Sequence, residues 1–230
     1  MGLAAARNKG AKIAQGEYLL FLDADDELGK DVLTRALELL PNNENFGLIC
    51  FRHESIFVDR FPKKSSKVQF SVTREKNFKA FILNKLAIIP SATMIKADVF
   101  QKTQFVKELK LSEDIPFFAQ VIANYDCLYF DLVLTKMYKH SASMRHDLDR
   151  LLSSSYESVD VLFDEKVLPA NLFKYRDMYK AKRALSMFRS LRRQGEVEKA
   201  KAYYREAIKL HPAFLLNWVY LKKYLLTKKW

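Results

Sequence analysis

Up to residue 146, apolar positions come in short runs separated by polar turns, and the runs alternate between helical and extended periods. In residues 2–15, Leu3, Ala6, Gly10, Ile13 and Ala14 approximate one helical face, and Gly16 stops the helix. Residues 18–22, YLLFL, are apolar without interruption, which predicts a strand buried on both faces. This run leads directly into Asp23-Ala24-Asp25-Asp26. Residues 30–40 read as a second amphipathic helix, ended by Pro41. Residues 46–58 read as a strand, 63–67 as a polar loop, 68–72 as an edge strand and 74–83 as a helix. A strand over 90–96 precedes a short helix from Ala97. Residues 112–123 carry a clear helix start, with Ser112 as cap and Glu113 and Asp114 in the positive first turn. Residues 125–138 form one or two strands.

The pattern changes after His146. Four helical segments follow, over 147–164, 170–194, 196–210 and 213–227, with Gly195 between the second and third and Pro212 closing the third. The alternation up to residue 146 predicts an α/β unit with a mixed sheet flanked by helices, and 147–230 predicts an all-α region. Residues 194–212 resemble half of a tetratricopeptide-type helix pair. A single copy is too little for a solenoid, so the segment is expected to be an ordinary helical appendage.

Composition supports a folded chain. Of 230 residues, 49% are hydrophobic, with only six Gly and six Pro, which excludes fibrous and largely disordered classes. No apolar stretch has the length of a membrane span, and the charged N-terminus does not suit a signal peptide. Cys50 and Cys127 lie in apolar, strand-like runs and are expected to be free thiols in a reducing, cytoplasmic setting. The net charge of +12 is unevenly placed: residues 150–230 hold 18 Lys+Arg against 8 Asp+Glu. The excess predicts attraction to an anionic surface.

Two acidic clusters carry the chemistry. Asp23, Asp25 and Asp26 end an apolar strand, where ligand and metal sites of open α/β sheets lie. Strand alternation predicts that Asp23 and Asp25 point the same way. Paired carboxylates suit a hard cation such as Mg²⁺ or Mn²⁺, whose other ligands are water and substrate phosphates. The second cluster, Glu113-Asp114, opens a helix. The bland reading of both is a charged turn and a capped helix.

The flanking residues resemble a known family. Arg7-Asn8-Lys9-Gly10 followed by Gly16-Glu17-Tyr18 and Asp23-Ala24-Asp25 closely resembles the central signature of family 2 glycosyltransferases. The likeness runs over consecutive residues. It implies a GT-A fold, a nucleotide-diphosphate sugar donor and a divalent metal bridging the donor diphosphate. By the same resemblance, Asp25 would bind the metal, and Asp23 the metal or the donor ribose. Asp26 and Arg7 would lie close to the donor. Residues 89–96 look like the family's acceptor-side strand. Leu111-Ser112-Glu113-Asp114 looks like its Glu-Asp motif, with Asp114 as general base beside Glu113. His140, in Tyr138-Lys139-His140-Ser141, would approach the diphosphate. The implied reaction is inverting transfer of a sugar to a glycan or lipid-linked hydroxyl. The resemblance also implies that the nucleotide-binding strands preceding this signature in the family are missing from residues 1–146, leaving a sheet edge open. The Trp motif of processive members is not found, which favours single-sugar transfer over polymer synthesis.

Two other functions compete. An Asp-x-Asp after an apolar strand also resembles haloacid-dehalogenase-like phosphatases, but that motif requires Thr or Val where Glu27 stands. A non-catalytic reading makes the basic tail a helical interaction module attached to a degenerate transferase. The tail ends in AFLLNWVYLKKYLLTKKW, which mixes aromatic residues with lysines as at a lipid head-group layer. This predicts peripheral contact with an anionic membrane at its inner face. The alternative packs Leu215, Trp218, Leu221 and Leu225 against the other tail helices. No nucleic-acid motif accompanies the charge, so nucleic acid is not an expected partner.

Overall fold

The computed structural model describes residues 2–40, 46–109, 112–139 and 156–227. The chain folds as two compact units. One comprises Met1–Glu108 and Glu113–Ser143, and the other Leu109–Ser112 and Met144–Trp230.

The first unit is a mixed sheet flanked by helices, the arrangement expected of a partial GT-A fold. Its elements are α1 (Leu3–Ile13), β1 (Tyr18–Leu19), β2 (Asp26–Leu28), α2 (Val32–Glu38), β3 (Leu48–Ile56), β4 (Lys63–Lys64), α3 (Arg74–Ile82), β5 (Thr93–Lys96), α4 (Ala97–Lys102), α5 (Asp114–Asn124) and β6 (Cys127–Tyr138). The strand order is β1-β5-β3-β6-β2, with β4 on β3. Among the described residues, only the β3–β6 pair is parallel; it is also the longest ladder. The alternate residues Ile49 and Phe51 of β3 meet Val32 and Ala36 of α2, with Met94, Leu132 and Leu134. Leu48 and Cys50, also buried, face the other side. Phe81 of α3 meets Phe118 of α5 edge-on at 6.4 Å. Gly47, just before β3, has no room for a side chain: a Cβ there would overlap the Tyr125 side chain.

Several local expectations fail for physical reasons. The YLLFL run is not a strand buried on both faces. Only Tyr18 and Leu19 pair, with Lys96 and Ile95 of β5, and Leu22 is 41% exposed. The ladder ends at Leu19–Ile95, although β5 continues through Met94 to Thr93 beside β3. In α1 the expected apolar face is not the buried one: Leu3 and Ile13 are exposed, whereas Ala4, Arg7 and Asn8 are buried. Leu3, Ala6, Gly10 and Ala14 instead line a groove of about 450 Å³ running past Leu19 to Ala24. The expected edge strand at 68–72 does not form, and the polar 63–67 loop contributes β4, held to β3 by the pairs Glu54–Lys64 and Ser55–Lys63. Residues 90–92 form a 3₁₀ turn before β5. Ser112 does not cap α5: the capping position is Glu113, without a side-chain cap bond, and Ser112 has φ +60°. Both cysteines are free. Burial pushes the Cys127 thiol up to about 12.

The second unit is helical: α6 (Glu157–Leu162), a 3₁₀ segment over Ala170–Tyr175, α7 (Arg176–Arg193), α8 (Val197–Leu210), a 3₁₀ segment over Pro212–Leu216 and α9 (Trp218–Leu225). Gly195 adopts φ +79° between α7 and α8, as a helix terminus favours. The core interleaves Ala181, Ala184, Leu185 and Phe188 of α7 with Ala200, Tyr204 and Ala207 of α8. Among the described residues, no helix is long and apolar enough to cross a membrane.

Candidate functional site

The acidic turn is held from both sides. On the N-terminal side, Phe21 packs among Phe100 and Phe105 with ring centroids 5.4 and 5.5 Å away. On the C-terminal side, Asp26, Glu27 and Leu28 pair with Met137, Lys136 and Thr135 of β6. Between these anchors the chain reverses, with the Asp26 N–H donating to the Asp23 carbonyl at 3.0 Å. Asp23 and Asp25 therefore sit in a turn, and the alternation of a strand does not govern their directions. Asp25 is exposed and Asp23 half-exposed.

Arg7 joins this turn to the second acidic cluster. Its guanidinium donates to Glu113 at 2.7 Å and to Asp23 at 3.0 Å, and its side chain is only 8% exposed. The two carboxylates are 16 and 106 residues away in sequence. The guanidinium carbon also lies 5.3 Å from the centre of the Phe105 ring, a favourable placement for a cation. Asn8 fixes that ring: its side-chain amide donates to the Phe105 carbonyl at 2.8 Å and accepts from the Phe105 N–H at 3.2 Å. Phe105 in turn stacks on Phe117 of α5 at 4.3 Å. Helix α1, the aromatic cluster and the start of α5 are thus tied together, and Asp114 is the first residue of α5.

Asp26 is electrostatically distinct. Burial raises its pKa above the ordinary 3.8, and Asp23 and Asp25 raise it further; the Tyr138 N–H and the Ser91 hydroxyl pull the other way. Its Oδ2 is buried with no hydrogen-bond partner. A raised pKa means that the folded state holds this proton more tightly than the unfolded chain. The associated stability is present below about 3.8 and lost as pH rises through the folded-state value. Asp26→Asn removes the titration. The variant's melting temperature, relative to wild type, is expected to be more favourable at neutral pH than in mild acid, and thermal scans in chelator across pH check this.

A divalent cation fits this donor set. The oxygens are hard and anionic, and one of them is buried without a partner. Among the described residues, no group of three or more His, Cys, Asp or Glu could hold a metal by itself. Mg²⁺ commonly takes one or two carboxylates and completes its shell with water and substrate phosphates. Of the residues singled out from the sequence, Arg7, Asp23 and Glu113 meet directly. Asp25 and Asp26 share the turn with Asp23, and Asp114 follows Glu113. His140 lies outside the described residues. Sequence reasoning assigned no role to Asn8, Phe105 or Ser91. Asn8 was adjacent to Arg7 in the motif, but the partners of Asn8 and Ser91 are visible only in three dimensions.

Known proteins share sequence similarity with this region. The family model described as glycosyl transferase family 2 matches residues 1–103, which include the acidic turn. An uncharacterized glycosyltransferase of Methanocaldococcus jannaschii is 26% identical over 124 residues, covering 54% of this chain and 42% of that protein. The poly(ribitol-phosphate) beta-glucosyltransferase of Bacillus spizizenii is 30% identical over 141 residues, covering 56% of this chain and 21% of that protein. The cholesterol galactosyltransferase of Borreliella burgdorferi is 27% identical over 136 residues, covering 53% of this chain and 37% of that protein. The matched region spans less than half the length of each of these relatives.

Proposed function

We propose, from the match of residues 1–103 to the glycosyl transferase family 2 model, that this chain carries the acidic centre of a metal-dependent, inverting glycosyltransferase. Its donor is a nucleotide-diphosphate sugar, and its acceptor is a hydroxyl of a glycan or of a lipid-linked molecule. The observation that carries this reading is the Arg7 bridge, which holds Asp23 and Glu113 on one guanidinium at 3.0 and 2.7 Å. Relatives whose names give poly(ribitol-phosphate) and cholesterol support a polymer or lipid acceptor.

In this reading each residue has a distinct task. Asp114 takes the proton from the acceptor hydroxyl, which is a weak nucleophile until that proton leaves. The acceptor oxygen forms its bond to the anomeric carbon as the bond to the donor diphosphate breaks. One displacement of this kind inverts the anomeric centre. Asp25 and Asp23 would hold a divalent cation, which when bound neutralises charge on the departing diphosphate. The free oxygen of Asp26 belongs to the same turn and supports this role. Arg7 acts through its partners: it neutralises Asp23 and Glu113 and fixes the start of α5, and so positions Asp114.

A panel of nucleotide-diphosphate sugars with soluble glycan and lipid-linked acceptors tests the proposal. The expected result is product of inverted configuration in Mn²⁺ or Mg²⁺, none in chelator, and none from Asp25→Ala. Product of retained configuration, or turnover indifferent to chelator, contradicts it.

A further inference from the structure

Helix α9 presents its apolar residues outward. Tyr220 and Tyr224 hold it to the helical core: the Tyr220 ring lies 6.5 Å from Phe188, and Tyr224 stacks on Tyr204 at 4.4 Å. At 100° per residue these tyrosines occupy one side of the helix. Trp218, Lys222, Leu225, Leu226 and Val219 fall on the other. Trp218 is 66% exposed and Leu225 60% exposed, and Leu216 in the preceding 3₁₀ segment reaches 86%. The packing expected of Leu215, Trp218 and Leu225 therefore does not occur. Solvent-facing apolar groups gathered in this way mark an interaction surface.

Charge identifies the partner. Lys222 projects within this apolar face, and Lys223 lies at its margin. From His211 to Trp230 the sequence contains no Asp or Glu and carries Lys222, Lys223, Lys228 and Lys229. Lysine is depleted from the cores of protein–protein interfaces, where its ammonium must be desolvated. At a lipid surface the same side chain buries its stem and extends the ammonium to head-group phosphates, while tryptophan and leucine enter the acyl boundary.

We propose that the outward face of α9 and the Pro212–Leu216 segment, with Trp218 and Leu225 around Lys222, is a docking surface for an anionic phospholipid bilayer. The proposal does not depend on the transfer reaction.

The test uses the full chain. It has two tryptophans, so Trp230→Phe leaves Trp218 as the single fluorescent reporter. Vesicles of phosphatidylglycerol mixed with phosphatidylcholine are compared with phosphatidylcholine alone. The expected result is a blue shift of Trp218 emission and co-sedimentation with the anionic vesicles, both weakened by salt. Lys222→Glu should lower partitioning at least about fivefold. The double variant Leu225→Ser, Leu226→Ser should lower it further, with melting unchanged because both positions are exposed. No shift with anionic vesicles, or equal binding to neutral ones, overturns the proposal. So does a lipid-free dimer, seen by sedimentation equilibrium, that the double serine variant dissolves, since a second copy would then cover this face.

Discussion

Asp114→Asn is expected to lower the rate of sugar transfer by about 10²–10⁴-fold, the usual contribution of a positioned proton acceptor, while donor affinity stays near that of wild type. The reason lies in the acceptor. A hydroxyl attacks an anomeric carbon only as its proton departs, and an amide cannot take that proton. Asparagine keeps the shape of the side chain and the start of α5, so the fold should survive. Steady-state kinetics with calorimetric donor binding separate the outcomes. A fall in kcat with unchanged donor binding supports the proposed role. An equal loss of donor binding would make Asp114 a binding residue, and unchanged kcat would remove it from the reaction.

Arg7→Ala should damage both stability and activity. The arginine is nearly buried and is shared by Asp23 and Glu113. Its removal leaves two carboxylates without their common partner, and Glu113 is only 12% exposed. Breaking a buried pair in this way costs about 3–5 kcal/mol. The low end, about 3 kcal/mol, applies here because Asp23 is 39% exposed and partly screened by solvent. Arg7→Lys should recover part of the loss, since one ammonium does not reproduce the fork that spans both acids. A double-mutant cycle with Glu113→Gln distinguishes a bridge from general packing. Glu113→Gln removes the charge that Arg7→Ala strands, so the double variant should be more stable than the sum of the single effects. Additive losses would show that Arg7 and Glu113 are not energetically coupled.

The acidic turn, the Glu-Asp helix start and the division into an α/β portion and a helical portion were legible in the sequence. Their signals are local: an apolar run ending in acids, acids at a helix start, a change of period after His146. What escaped depends on distant partners. Helix α1 does carry an apolar stripe through Leu3, Ala6, Gly10 and Ala14, but the face that buries bears Ala4, Arg7 and Asn8, because Asp23, Phe105 and Glu113 supply its partners. Lys63 and Lys64 join the sheet because β3 supplies a ladder, which their own composition does not predict. In α9, the alternative that packs Leu215, Trp218 and Leu225 inward picks the wrong side. The tyrosines are buried instead, because Tyr220 meets Phe188 and Tyr224 stacks on Tyr204.

In the proposed function, the turn bearing Asp23, Asp25 and Asp26 binds the diphosphate of a nucleotide sugar through a divalent metal. Calorimetric titration with UDP and other nucleoside diphosphates tests it most directly, in Mn²⁺ or Mg²⁺ and again in chelator, for wild type and Asp25→Ala. Wild type should bind saturably in metal, and binding should be lost in chelator and in Asp25→Ala although that variant melts normally. Binding that ignores both the chelator and the substitution, or no binding by a wild-type chain that melts as a folded protein, would contradict it.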